Sequence, residues 1–342
     1  MQTPLEHIAD MTGLRDRDVM DVTLVTVLMD MLRPRSVAIY KVLGEPAKQH
    51  WITRALLKVG DVTAHSDALW GDTDRLPRYE DHPMRAEALE GQSVMRGTVN
   101  DHCLTVFPIV TDRGPIGVAE VETGAPLDLH NERLISGILR IYRNFMGLMD
   151  YSERDTLTGL LNRKSFDETF LKATRSTAVE PGDLDRRETA GHPRYWIGVI
   201  DIDHFKQVND RFGHLIGDEV LLLVARILRS SFRFGDMMYR FGGEEFVVLL
   251  RCPSEGEASD VYERFRANLQ SYGFPQVGTV TASLGFTEIR SNDTPQSAFE
   301  RADKAVYYAK QHGRNQIISF HDLVRRGILE EVINVNDDAE LF

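Results

Sequence analysis

The sequence predicts an α+β protein of two domains, and three observations carry that reading. The chain has 342 residues, about twice an ordinary domain. Its second half alternates strand-like apolar runs with amphipathic helical stretches, but a hairpin at 237–250 interrupts the alternation. That fits a mixed sheet with helices on one side better than a fully parallel, doubly wound one. Between the halves lies a long amphipathic segment, "NERLISGILRIYRNFMGLMDYSE" (131–153). The expected organisation is a first domain over 1–130, a helical linker over 131–154, a second domain over 155–322 and a tail over 323–342.

Composition narrows the function classes. Hydrophobic residues make up 42% and charged residues 27% of the chain, as in soluble globular proteins. A net charge of -12 argues against a nucleic-acid-coating protein, which needs a basic face. Cys103 and Cys252 stand far apart in no CxxC-type pattern, so neither a zinc site nor a disulfide framework is expected. Free thiols suit a reducing cytoplasm, and a cytoplasmic location is expected. No apolar stretch reaches membrane-span length, and the polar N-terminus is no secretory signal.

In chain order, residues 13–32 read as a helix with Val19, Val22, Val25 and Leu28 on its apolar side, although β-branched residues weaken the pattern. "SVAIYKVL" (36–43) and "WITRALLKV" (51–59) read as strands; 60–100 resists assignment. "CLTVFPIVTDRGPIGVAEVET" (103–123) is a hairpin with Gly114 and Pro115 in its turn. A small antiparallel sheet between outer helices, with this hairpin, resembles a GAF-type sensor domain. The resemblance implies a small-molecule or protein signal for the first domain, of unknown identity. His7, His50 and His65 form no recognisable haem site, and Cys103 reads as a packed thiol.

In the 131–153 segment, Ile135, Ile138, Tyr142, Phe145 and Met149 step by three and four, and Leu134, Ile141 and Leu148 form a second column seven apart. A parallel helix pair between two protomers fits this spacing. A single amphipathic helix packed on the first domain fits it as well. The second domain opens at "DTLTGLLNR" (155–163). A helix follows, then a polar loop (176–194), the buried strand "YWIGVIDID" (195–203), a helix at 216–231, the hairpin, a helix at 256–272, the strand "VGTVTASLGF" and a helix at 295–311.

Chemistry-bearing residues concentrate in this half. The 195–203 strand delivers Asp201 and Asp203 at its end, and strand alternation puts them on one side. "RFGGEEF" places Glu244 and Glu245 at a hairpin tip. The glycines serve a turn with positive φ or the close approach of a nucleotide. Magnesium takes oxygen ligands and keeps water and phosphate oxygens, so one or two of these carboxylates and a backbone carbonyl suffice. Lys310 and Arg314 share a face if their helix continues, and suit terminal phosphates; Gly313 is an alternative helix end. Asn209 and Asp218 offer the acceptors and donors that guanine needs; as an alternative, they cap a turn and a helix.

"DTLTGLLNR", "DIDHFKQVND", "FGHLIGDEVL", "RFGGEEF", "TASLGF" and "DKAVYYAKQHGRN" occur in one order over 155–315. Together they resemble the GGDEF family of diguanylate cyclases, in its GGEEF variant. The resemblance implies a nucleotidyl-cyclase-like palm domain, a central mixed and largely antiparallel sheet with surrounding helices. It implies condensation of two GTP into cyclic di-GMP and two pyrophosphates, in a homodimer whose half-sites face each other. Asp201, the carbonyl of Ile202 and Glu244 would hold two Mg²⁺ ions, with Mn²⁺ as substitute. Glu245 would act as a ligand or just behind the ligands, and Glu244 would deprotonate the ribose 3′-OH. Asn209 and Asp218, with His214 nearby, would read guanine. Lys206, Lys310 and Arg314 would neutralise phosphates, and the backbone at His204 and Phe205 would cradle them. Arg233 and Asp236 of "RFGD", with Arg264, would form a site where cyclic di-GMP inhibits; a strand-edge ion pair is the alternative. A signalling module that binds GTP or cyclic di-GMP without turnover is the competing function.

Overall fold

A computed structural model describes residues 16–44, 48–67, 75–111, 114–177, 194–233 and 235–330, with the single positions 6 and 13. His7, two turn residues of the 103–123 hairpin, most of the 176–194 loop and the final twelve residues of the expected tail lie outside the described residues. The chain forms two compact units, Met1–Ser152 and Glu153–Phe342.

In the first unit, α1 (Arg17–Leu32) starts where the Asp16 carboxylate accepts from the Asp18 and Val19 amides. It is followed by β1 (Ser36–Leu43), β2 (His50–Lys58), α2 (Pro83–Glu90), β3 (Met95–Val99), β4 (His102–Thr111), β5 (Gly114–Thr123) and α3 (Leu129–Glu153). The strands form an antiparallel sheet in the order β2-β1-β5-β4-β3. Alternation along the strands splits its faces. Val37, Ile39, Phe107, Ala119 and Val121 pack with α1 and α3; Trp51, Val106 and Val118 pack with Ala88 and Leu89 of α2. The unassigned 60–100 region thus holds α2 and β3. These have little apolar periodicity because α2 covers only part of one face and β3 is a largely exposed edge strand.

Two expectations are corrected here. The buried face of α1 runs through Met20, Leu24, Val25, Val27 and Leu28, while Val19 points outward. The helix is rotated because Asp21 must be inside. Its fully buried carboxylate accepts from Lys41 (3.0 Å), from Arg54 (3.1 Å) and from the Tyr142 hydroxyl. The helix expected as a linker over 131–154 is, over most of its length, a core helix of the first unit, the packed alternative of the two readings. Ile135, Ile138, Leu139, Tyr142, Met146 and Met149 of α3 are buried in the first unit. Of the column seven apart, Leu134 packs against the core, while Ile141 and Leu148 are left open, 36% and 66% exposed.

The second unit contains β6 (Leu161–Asn162), α4 (Arg163–Thr177), β7 (Arg194–Ile202), α5 (Phe205–Phe212), α6 (His214–Ser231), β8 (Met237–Gly242), β9 (Glu245–Cys252), α7 (Glu255–Ser271), β10 (Gly273–Phe274), β11 (Gly278–Thr279), β12 (Ala282–Glu288), α8 (Pro295–Gln311), β13 (Ile317–Ser319) and α9 (Phe320–Arg325). Its main sheet runs β13-β12-β7-β9-β8-β6, with parallel pairs at the two edges and antiparallel pairs between. Helices cover both faces, not one side as the alternation alone implied. Trp196, Ile200, Phe246, Val248 and Leu250 pack with α6 and α7. On the other face, Gly285 of β12 lies directly under α8, and Phe166 of α4 meets Tyr239 and Phe241 of β8 edge-on. Double coverage explains why β7 reads as an unbroken apolar run. The fold also runs past residue 322, since Leu323 is fully buried beside Phe320 and Ala305.

At Gly285 a Cβ would overlap the Ala302 carbonyl and the Val306 amide on the backbone of α8. Gly285→Ala is therefore expected to destabilise the second unit by about 2 kcal/mol or more. Thermal unfolding of the variant checks this.

Candidate active site

The site lies where the central strands end. β7 and β9 are antiparallel, and their register sets Asp201 directly opposite Glu245, so both carboxylates share one face. The β8–β9 tip is shaped by its glycines, with φ of 155° at Gly242 and 48° at Gly243. The second angle is left-handed, where a side chain is unfavourable. Glu244 follows, and its carbonyl accepts from the Ile202 amide (3.3 Å), lacing the tip to the end of β7.

A second tie comes from the start of the unit. Arg240 donates to the Gly243 carbonyl (2.9 and 3.2 Å) and to the Asp155 carboxylate (3.1 Å). Asp155 in turn accepts from the Thr158 amide and hydroxyl. The opening motif "DTLTGLLNR" thus buttresses the hairpin that carries Glu244. Sequence reasoning assigned these residues no role, because 85 residues separate Asp155 and Arg240 and no spacing rule links them.

From the opposite side, the last turn of α8 supplies Lys310, whose ammonium lies 2.7 Å from Asp201. The helix then stops. Gly313, Arg314 and Asn315 all have positive φ, so Lys310 and Arg314 do not share a helix face; Arg314 sits in the loop beyond. Asp203 also departs from expectation. It is buried and bound to Thr281, Ser283 and the Asn315 amide, and Asp201 alone of the pair faces Lys310.

Asp201 has its pKa raised, first by burial; Lys310 opposes this, while Asp203 and Asp303 add to it. Burial also raises Glu244, with repulsion from Asp201 next. Glu245 is raised by burial, then by Asp201 and Asp303, with Lys310 and Arg163 opposing. Asp303 and Arg163 belong to this electrostatic neighbourhood and were missed. The seven-residue step from Asp303 to Lys310, two turns of one helix, is the signal that pointed to the first.

The Asn209 side chain lies against the helix that carries Asp218. A Cβ at Gly217 would overlap Asn209 Oδ1, and Asp218 is the next residue. α6 begins at His214 behind Gly213, so Asp218 lies in its second turn and does not cap it. His204, left-handed at φ 58°, leads into α5 beside buried Phe205, and His204, Lys206, His214 and Asp218 are exposed. At the other motif, buried Asp236 accepts from the Arg233 amide (2.9 Å), and Arg264 donates to the Ser231 carbonyl (2.6 Å). The contact between Arg233 and Asp236 is therefore a backbone-to-carboxylate turn. Both guanidinium groups also act on Asp236, so the three residues form one cluster.

Residues 152–316 match the family model described as Diguanylate cyclase, GGDEF domain. The second unit is a GGDEF domain. Similar curated proteins include the diguanylate cyclase DgcP of Pseudomonas aeruginosa, 40% identical over 166 residues, 48% of this chain and 23% of that protein. Diguanylate cyclase DgcM of Escherichia coli K12 is 33% identical over 198 residues, 57% of this chain and 46% of that one. This chain spans less than half the length of these relatives. Among solved structures, the GGDEF domain of DgcB from Caulobacter crescentus in complex with c-di-GMP is 30% identical, covering 49% of this chain and 96% of that one at a TM-score of 0.43.

Burial pushes Asp236 up to about 6 against attraction from Arg233. The folded state then binds more protons than the unfolded one between about pH 4 and 6. Asp236 alone then contributes roughly 3 kcal/mol of stability to the second unit that is lost as pH rises through that window, and Asp236→Asn should remove that component relative to wild type. Denaturant unfolding from pH 4 to 7 checks both.

Proposed function

We propose that the chain is a diguanylate cyclase that joins two GTP into cyclic di-GMP with release of two pyrophosphates. The observation that carries this is the convergence of Asp201, Glu244 and Glu245 at the strand ends opposite Lys310, within a GGDEF domain. Four carboxylates with Asp303 face two cations there, Lys310 and Arg163, a balance that favours a bound cation.

Among the described residues no three His, Cys, Asp or Glu converge into a ready-made metal cage. Magnesium suits such a site, because it draws most of its octahedral shell from water and phosphate. In this reading Asp201, the Ile202 carbonyl and Glu244 hold Mg²⁺, or Mn²⁺ in its place, with Glu245 as ligand or support. The metal, when bound, acidifies the ribose 3′-OH and offsets charge on the leaving pyrophosphate. Glu244 accepts the 3′ proton as the new O–P bond forms at the α-phosphorus of the second GTP and the α–β anhydride breaks. Lys206, Lys310 and Arg314 bind the phosphates, the His204–Phe205 backbone cradles them, and Asn209 and Asp218, with His214 nearby, read guanine.

Each site holds one GTP, so the reaction needs two copies facing each other. The open side of α3 supports such a pair. Ile141, Asn144, Leu148 and Tyr151 step by three, four and three, the spacing of a coiled-coil seam. Leu148 and Tyr151 are 66% and 73% exposed. The GAF-like first unit reads as a sensor acting through α3, and the Arg233–Asp236–Arg264 cluster as the place where product inhibits. Among the described residues no helix is long and apolar enough to cross a membrane.

With bound product removed and Mg²⁺ or Mn²⁺ supplied, the wild type should make cyclic di-GMP, and Glu244→Gln should lose about a hundredfold or more in rate while still binding GTP. A wild type that binds GTP under all these conditions without product would be a signalling module instead. Leu148→Glu, on the open seam, should shift the protein toward monomer in sedimentation and lower turnover with it.

A further inference from the structure

Asp203 takes no part in the reaction above, yet it is buried beside the site with both carboxylate oxygens engaged. Its Oδ2 accepts from the Thr281 hydroxyl (2.7 Å) and the Asn315 amide (3.0 Å), and its Oδ1 from the Ser283 hydroxyl (2.7 Å). Its own amide donates to the Thr281 carbonyl (2.9 Å). The contact with Asn315 reaches across 112 residues to the position after Arg314.

The loop it grips is unusual. Gly313, Arg314 and Asn315 have φ of 112°, 60° and 45°. Side-chain-bearing residues visit this region singly, at about 1 kcal/mol or more each; two in succession persist only where the surroundings hold them. The Arg314 amide donates to the Ala309 carbonyl (3.0 Å). Arg266 of α7 donates to Asn315 Oδ1 (2.9 Å), and Gln316 donates back to the Ala309 and His312 carbonyls. These ties fasten the loop to helices. Asp203 ties it to the end of β7, two residues from Asp201.

We propose that Asp203 is a positioning residue that fixes the backbone of Arg314 relative to Asp201, so that the guanidinium meets the terminal phosphates of a nucleotide whose α-phosphate lies at the carboxylates. The inference rests on the phosphate-binding reading of Arg314. Selection then falls on phosphate-chain length: the latch matters for a triphosphate and not for a monophosphate. A carboxylate suits the role because three donors converge on it. An amide keeps one accepting oxygen, so Asp203→Asn is a partial substitute and Asp203→Ala none.

The test is calorimetric binding to the full chain with Mg²⁺, using GMP and a GTP analogue with a methylene bridge between the α- and β-phosphates. Asp203→Ala should weaken the analogue about tenfold or more, the loss of one charged hydrogen bond, and leave GMP within twofold. Asp203→Asn should fall between. Arg314→Ala should show the same selective loss, and the double variant should be no weaker than Arg314→Ala. If Asp203→Ala lacks a cooperative unfolding transition, Asp203→Asn decides: it keeps one accepting oxygen and should still weaken the analogue while leaving GMP within twofold. Equal loss of both nucleotides, losses that add to those of Arg314→Ala, or a variant that binds like wild type while wild type binds normally overturns the latch alone. Wild type that binds neither nucleotide overturns the cyclase reading, and the latch with it.

Discussion

Gathering carboxylates at the end of a buried sheet is electrostatically expensive, and the second unit is built around that constraint. The β7–β9 register places Asp201 against Glu245, and the hairpin adds Glu244. Burial, and then repulsion from neighbouring carboxylates, raise all three pKa values. Such an arrangement is stable only if the backbone beneath it cannot yield and opposite charge is near. Lys310 supplies part of that charge; in the proposed reaction a metal–nucleotide complex would supply the rest.

The supports are peripheral to the chemistry but decide its geometry. Arg240 holds the tip from one side through Asp155, and Asp203 holds the loop after α8 from the other. Gly285 lets α8 lie against β12 without a side chain between them, which sets how near the last turn of that helix comes to the strand end. Preorganisation of this kind reduces the rearrangement left for the moment of reaction.

Much of this was legible in the sequence because motif residues sit at strand ends and turns, where local rules are strong. The apolar run 195–202, the GGEE tip and the 103–123 hairpin required no tertiary knowledge. The failures share a cause: long-range partners. The rotation of α1 depends on Asp21 meeting Lys41, Arg54 and Tyr142, which no period reveals. The inward face of α3 was indistinguishable from a dimer seam, because both are apolar at steps of three and four. Asp203 looked like a twin of Asp201 under strand alternation, but β7 ends at Ile202, and the rule lapses there.

The helix α3 is committed on one side and open on the other. Tyr142 fastens it to a buried charge, and Arg17 adds a 2.7 Å bond to Asp150 near its end. Because Tyr142 and Ile141 are adjacent on a rigid cylinder, the helix cannot adjust one face and keep the other still. An event that repacks the Asp21 network must re-aim Leu148 and Tyr151 by the same angle. In the proposed regulation, side-chain packing inside the first unit would set the azimuth of a single rod, a quantity that can be read at its far end without any messenger passing along it.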